Sequence, residues 1–363
     1  MKNVKIYGIT AVVTVWLLAL AGCAGPTEEA APDKIEMKHK APAPEETPTA
    51  EPEQAPKPQE KPEEAKQPVQ LALKFAPQQT ATYKSTTQVQ RSVLWEGSAK
   101  EKPSAFKGGH TGNRAQMTYT EHIKTVDDNG NAAAEITIKD LAYVAKVRDD
   151  VTIDFDSSRA KDQNHPLTKL IGQSYTIRMS PAGRVLQVVD ATAARAAVPR
   201  DSAHHKIASN LLSDDIIQQR HTILALPDAN DNRVPPGETW SEVESFSFDM
   251  MGAKAYEKVY TLKEVKEQDN QQIAVVALNA VPSSQMETEL HKEQATNPFS
   301  KMFDTKEDYT GQLKLDLTTG KVQQYTEKLT IEWLIVDPQA KQDQEPAALK
   351  MATLRSHSIE KIE

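Results

Sequence analysis

From residue 69 onward, apolar side chains recur at every second position far more often than at every third or fourth. Met117, Tyr119 and Ile123 alternate with Thr118, Thr120 and Lys124. Asp128-Asn129-Gly130 follows, and an Asn-Gly pair predicts a hairpin because both residues tolerate positive φ. Ala132, Ala134, Ile136 and Ile138 then share one face before the parity switches to Leu141, Tyr143, Ala145 and Val147. That switch predicts a bulge near Lys139-Asp140. A turn at Arg148-Asp149-Asp150 leads into Val151, Ile153 and Phe155.

The same grammar returns downstream. Tyr175, Ile177 and Met179 run into Ser180-Pro181-Ala182-Gly183, and Val185 and Val189 leave it. Leu313, Leu315 and Leu317 run into Thr318-Thr319-Gly320, with Val322 and Tyr325 beyond. Leu329, Ile331, Trp333 and Ile335 alternate again, and the stretch from Leu349 to Ile362 is expected to close the sheet. The unbroken apolar run from Ile273 to Leu278 predicts a strand covered on both faces. Gly183-Arg184-Val185 and Gly320-Lys321-Val322 are read as shared hairpin chemistry rather than as a duplication.

One stretch has helical spacing. From near Ser202, Ile207, Ala208, Leu211 and Leu212 fall on one side. Ser213 is placed to cap a second helix carrying Ile216, Ile217 and Leu224, stopped by Pro227. Polar stretches at 96–115, 284–308 and 337–347 are expected to be exposed loops. The pattern predicts a mainly β fold with a minor helical insert. Its form is a large curved antiparallel sheet, a half-barrel in shape, with helices packed on one face.

Composition changes abruptly before residue 69. Residues 24–68 hold ten of the 22 prolines, eleven Asp/Glu, six Lys and no aromatic residue. Such a segment buries too little apolar surface to offset its ordering entropy, so a disordered stalk is expected. The net charge of −8 leaves −5 for residues 69–363, which argues against a nucleic-acid partner.

The N-terminus supplies the most specific motif. Lys2 and Lys5 precede an apolar run from Ile6 to Ala21 that is shorter than the roughly 20 residues of a comfortable membrane span. Leu20-Ala21-Gly22-Cys23 resembles the lipobox of bacterial lipoproteins. The resemblance implies a signal peptide over 1–22, cleavage before Cys23, and lipidation of that thiol, leaving 23–68 as the lipidated stalk and 69–363 as the domain. More than one acyl chain is needed for stable anchoring, which a triacylated Cys23 would satisfy. Ala24, rather than Asp, implies the outer membrane if the organism has two membranes. Cys23 is the only cysteine, so no intrachain disulfide forms.

No catalytic signature, cofactor motif or metal motif is present. His204-His205 are adjacent, and chelating pairs on a helix sit at i and i+4, where Ala208 and Ser209 stand instead. Glu121 and His122 point to opposite faces of a strand and cannot act on one substrate. Trp95, Trp240, Tyr256, Tyr260 and Trp333 are candidates to line a ligand cavity, although aromatics on alternating strands more often form core.

Residues from about 69 to 336 resemble an uncharacterised group of bacterial envelope lipoproteins, classed only as a domain of unknown function. The carrying segments are Leu71 to Phe75 leading to Tyr83, Ser174 to Ile177 through Val185, and Leu226-Pro227 with Val234 to Trp240. Gly311 to Asp316, continuing to Val322, completes the set. The likeness implies a secreted sheet domain and brings no activity. A more distant likeness, at the level of fold only, is to the half-barrels of lipoprotein carriers. The expected function is a non-catalytic binding or carrier domain at the cell envelope, held by lipid on Cys23, with a hydrophobic ligand or an envelope protein as partner. A structural or assembly lipoprotein is the alternative, and a hydrolase ranks well below both.

Overall fold

The computed structural model describes residues 67–96, 106–228, 232–248, 251–283, 303–336 and 348–362. The expected signal segment with Leu20, Ala21, Gly22 and Cys23, and the expected stalk as far as residue 66, lie outside the described residues, as does the expected loop at 337–347. The first half contains β1 (Val69–Gln70), β2 (Thr80–Glu96), β3 (Gly109–Val126), β4 (Ala132–Val147), β5 (Asp150–Asp156), β6 (Ser174–Met179) and β7 (Val185–Asp190). Three short helices follow: α1 (Thr192–Ala196), α2 (His205–Leu211) and α3 (Asp214–His221). The second half contains β8 (Arg233–Val234), β9 (Thr239–Ser247), β10 (Ala253–Gln268), β11 (Gln271–Pro282), β12 (Asp304–Asp316), β13 (Lys321–Val336) and β14 (Ala348–Lys361).

Twelve strands make one antiparallel sheet in the order β7-β6-β4-β3-β2-β14-β13-β12-β11-β10-β9, with β5 paired to the far part of β4. The fold is therefore two meanders joined along a central seam, where β14 pairs with β2 from Tyr83↔Lys361 to Glu96↔Ala348. The strand expected to close the sheet stands in its middle. The helical segment connects opposite edges, from β7 to β9, and so crosses a face.

The sheet is strongly curved but not closed into a barrel. β9 stands five places from β14 in the sheet, yet Arg355 of β14 donates to the Ser247 carbonyl of β9 at 3.3 Å. The open sides also meet: Arg184, in the β6–β7 turn, pairs with Glu242 of β9 at 2.8 Å. Among the described residues, side chains rather than a backbone ladder bridge that gap.

Local chemistry explains most of the elements. At the bulge, Asp140 pairs with Thr118 and Ile138 with Tyr119, so Lys139 is the extra residue that resets parity. Arg148 and Asp149 both have positive φ (52° and 72°), as a tight two-residue hairpin requires. At the Asn129-Gly130 turn only Gly130 does (φ 77°). There the Asp127 carboxylate accepts from the Asn129 and Asn131 amides, at 3.0 and 2.9 Å, and sets the turn. Ser213 caps α3 by accepting from the Ile216 amide, and Asp214 and Asp215 meet the positive end of the helix dipole.

Two boundaries differ from expectation. α3 ends at His221, before Leu224, because the Ile223 amide is taken by the Gly183 carbonyl at 2.8 Å. Within the expected loop at 96–115, residues from Gly109 belong to β3, paired with β2 and β4 on both sides. Ladder hydrogen bonds need no apolar alternation, so this polar continuation of the strand carries no periodic signal. Similarly, Asp304 to Asp308 pair with Leu334 to Thr330 as the start of β12.

Candidate functional site

Residues directly opposite one another on antiparallel strands share a face. Following the register from Tyr175 to Ile136, Glu121 and Ala81 on one side, and from Trp240 to Tyr260, Leu278, Gly311 and Glu327 on the other, traces one continuous concave face. Trp95, Trp240, Tyr256 and Trp333 all lie on it, at separate points. Trp95 packs on Phe106, Trp240 stacks on Tyr260 with centroids 5.9 Å apart, and Trp333 meets Phe248 at 5.6 Å. Tyr256 packs against Phe246 and Tyr309 at 6.1 and 5.7 Å. They pack as anchors around the space described next rather than lining it.

Curling brings β9 over the middle of the sheet and leaves a cleft of about 230 Å³ beneath α3. Ile216 and Gln219 of α3, Phe246 of β9, Tyr309 of β12, Leu329 of β13 and His357 of β14 line it, with Glu244, Glu327 and Arg355 among the charged residues. A fully buried lysine sits beside it: Lys258 pairs with Glu244 and Glu327 at 2.8 Å each. The Tyr309 hydroxyl donates to both carboxylates at 3.3 Å, and Tyr325 donates to Glu327. Burial, then the nearby carboxylates, pushes the Tyr309 and Tyr325 hydroxyls far above the ordinary phenol range, so both stay protonated donors. Burial, with Arg220 and Lys258 nearby, lowers His357 to about 4, which leaves its ring neutral at physiological pH.

A second cluster fixes α3 to the sheet. The Tyr175 hydroxyl is 2.7 Å from His221 Nε2, and Arg220 reaches the same hydroxyl at 3.4 Å and the Leu211 carbonyl at 2.7 Å. Burial holds His221 well below the usual imidazole value, with Arg220 adding to it, so the ring that meets the Tyr175 hydroxyl is neutral. Tyr119 meets the same ring edge-on at 4.8 Å. Next to this joint is a void of about 40 Å³ bordered by Tyr83, Glu121 and Lys321, room for a few waters and no larger guest. Burial raises the Glu121 carboxyl to about 7 against the opposing pull of Lys321.

The segment 71–75 roofs that void. Leu71 donates to the Asn232 carbonyl, Leu73 to Pro181 and Lys74 to Gly320, at 2.8, 2.8 and 3.1 Å. Gly320 is required twice over: its φ is 65°, and a Cβ there would lie 2.4 Å from the Lys74 backbone nitrogen. The segments that carry the family resemblance thus meet at one structural junction, where the entering chain is clamped between two hairpin turns.

Among the described residues no group of three or more His, Cys, Asp or Glu is placed to hold a metal ion. His204 packs edge-on against His165 at 4.4 Å, while His205 Nδ1 bonds the Val198 carbonyl at 2.8 Å, so the adjacent pair has separate partners. Lys258, Glu244, Glu327, Tyr309 and His357 escaped the sequence reading. Their signal was a charged residue at an inward parity position, as in Tyr256-x-Lys258-x-Tyr260 and Tyr325-x-Glu327-x-Leu329.

A model of a family of unknown function, DUF6263, matches residues 129–322, more than half of the chain. The chain belongs to this family. The DUF6263 region runs from the β3–β4 turn to the start of β13, and includes Ile216, Glu244, Phe246, Lys258 and Tyr309. Glu327, Arg355 and His357 lie beyond it. No curated protein matches the chain. Among solved structures it is similar to one described as lipid–protein interactions in lipovitellin, at 12% identity and a TM-score of 0.42. That likeness covers 80% of this chain and 26% of the other, so the chain spans about a quarter of the lipovitellin chain.

Proposed function

We propose that this DUF6263 protein is an envelope lipoprotein, anchored through lipid on Cys23, whose domain is a non-catalytic module that binds a small amphipathic ligand. The cleft on the concave face carries the reading. It sets an apolar wall of Ile216, Phe246 and Leu329 against convergent polar groups, the usual composition of a ligand site. Its volume of about 230 Å³ lies just under the roughly 300–1,000 Å³ of drug-sized sites. The hydrophobic ligand expected from the sequence is therefore limited to a compact apolar body with a polar head. Neutral His357 and the permanently protonated tyrosines suit recognition rather than proton transfer.

Native mass spectrometry of the protein purified from its own host tests this. A bound species of small mass should accompany the domain, and repeated empty spectra would remove the reading. Anchoring has its own test: Cys23→Ser should move the protein from the membrane to the soluble envelope fraction, and unchanged membrane retention would refute lipidation at Cys23.

An assembly lipoprotein is a second reading, supported by the edge strand β9, which pairs with β10 on one side only among the described residues. Such an edge can accept a partner strand. Crosslinking from Glu242-flanking positions in intact cells should then recover one defined envelope protein, and a lone monomer would count against it.

A further inference from the structure

We infer that the outer, convex face of the sheet carries a second binding site, built for an oxyanion borne on a hydroxylated body such as a sugar phosphate. It lies opposite the cleft and does not depend on what the cleft binds. Gln88 and Gln90 of β2, and His110, Gly112 and Arg114 of β3, have the parity opposite to Ala81 and Glu121. The β2–β3 register runs unbroken, so all five face outward. Gly112 sits in register between Gln90 and Lys146 of β4. Its φ is not positive; what demands glycine is β2, which passes so close that a Cβ would lie 2.1 Å from the Val89 carbonyl oxygen. Around this bare position the neighbouring side chains border a basin of about 460 Å³, within the roughly 300–1,000 Å³ of small-molecule sites.

Charge selects an anion. The ionisable residues of the lining are Arg114, Lys146, Asp149 and His110. His110 Nδ1 lies 2.8 Å from Asp149 Oδ1, and a carboxylate only accepts, so that nitrogen carries the proton and the carboxylate is engaged. This hydrogen bond is the main reason the Asp149 carboxyl sits below the usual carboxylate range. Arg114 and Lys146 have no ion pair among the described residues. The next carboxylate along the row, Asp154 of β5, is taken by Arg159 at 2.9 Å. The lining therefore sets two cations against one carboxylate even with the His110 ring neutral, a local positive field in a chain of net negative charge.

The neutral groups select what the anion is carried on. Gln88 Nε2 donates to Gln90 Oε1 at 3.2 Å, which uses the acceptor of Gln90 and leaves its NH₂ to donate. Side-chain amides and the guanidinium suit hydroxyls as well as an oxyanion, and no aromatic ring lines the basin among the described residues. A cation would meet Arg114 and Lys146, and an apolar ligand would strand the amides. A bare phosphate would fill only a small part of the volume. A soluble sugar phosphate and a phosphoglycerol lipid headgroup offer the same chemistry.

Titration calorimetry on the full chain at fixed ionic strength tests the assignment with glucose 6-phosphate, glucose and inorganic phosphate. Glucose 6-phosphate should bind saturably at one site and more tightly than either of the others. Arg114→Gln and Lys146→Gln should each weaken it about fivefold, as loss of one exposed ion pair does. Both side chains are exposed, so the fold tolerates the changes. Lys328→Gln is the control: Lys328 lies on the same face and the same row as Arg114, three strands away through Ser356 and Gln88, and should leave the affinity unchanged. Glycerophosphoglycerol separates the sources, since tighter binding of this probe points to a lipid headgroup and weaker binding to a soluble sugar phosphate. Absence of saturable binding overturns the inference, as does glucose or phosphate binding as tightly as glucose 6-phosphate. So does a loss in Lys328→Gln equal to that in Arg114→Gln, which would mean diffuse surface charge. An open site held by screened charges releases its ligand into the ammonium acetate of native mass spectrometry, so it does not enter the occupancy of the cleft.

Discussion

Replacing Glu121 by Gln should change how stability depends on pH more than it changes stability at any one pH. Glu121 sits on β3 beside the void under segment 71–75, and burial moves its carboxyl from an ordinary 4.5 to about 7. A raised folded value means the folded state holds its proton more tightly than the unfolded state does. The proton is bound in both states below about pH 4.5, and in neither well above pH 7. Between those limits folding takes up part of a proton, and stability falls as pH rises. Each pH unit across that interval is worth about 1.36 kcal/mol, so the full penalty above pH 8 approaches about 3 kcal/mol. Glu121 is only partly buried by surface area, which makes this an upper bound. Gln keeps the shape and lacks the titration. Urea unfolding of both proteins from pH 4.5 to 8.5 should give curves that coincide at the acid end and diverge to between 1 and about 3 kcal/mol in favour of Gln at the basic end. His357, held neutral in the fold, titrates identically in both proteins and cancels in the difference. Parallel curves would refute the reasoning, because they would mean that Glu121 is solvated and charged throughout.

Other perturbations separate the joints of the fold. Lys258→Met leaves Glu244 and Glu327 facing each other without their shared cation and should cost about 3–5 kcal/mol at pH 7; the loss should shrink at pH 4 in a urea titration as the carboxylates protonate, and a pH-independent loss would contradict the charge argument. Ser213→Ala removes the α3 cap and should cost about 1 kcal/mol by thermal melting, while no change would mean the cap is dispensable. Gly320→Ala forces a Cβ into the Lys74 backbone and should make segment 71–75 sensitive to limited proteolysis with at least about 1 kcal/mol of lost stability. Unaltered cleavage would show that the clamp is looser than its geometry.

Much of the sheet was written in alternation, because a strand with one buried face must repeat every second residue. The bulge at Lys139 was legible for the same reason: parity cannot switch along a regular strand. The Ser213 cap was equally plain, since hydroxyl chemistry at a helix start is local. Long-range facts were not. Nothing in the sequence says that β14 pairs with β2, that β9 curls over β13 and β14, or that Ile223 is captured by Gly183. The cleft depends on that curl, because Glu244 and His357 are more than a hundred residues apart and meet only in the folded sheet. Trp95, Trp240, Tyr256 and Trp333, the candidates for a cavity lining, border the cleft without lining it, while the polar groups between them were the more informative residues.

If the concave cleft holds the ligand, blocking it should leave the protein empty. Leu329 is buried at the cleft wall, so Leu329→Trp should fill the space with the protein's own side chain. Native mass spectra of wild-type and Leu329→Trp protein, both purified from the host and both folded by circular dichroism, decide the matter. A small mass should be bound to the wild type and absent from the variant; equal occupancy of the two would contradict binding in the cleft.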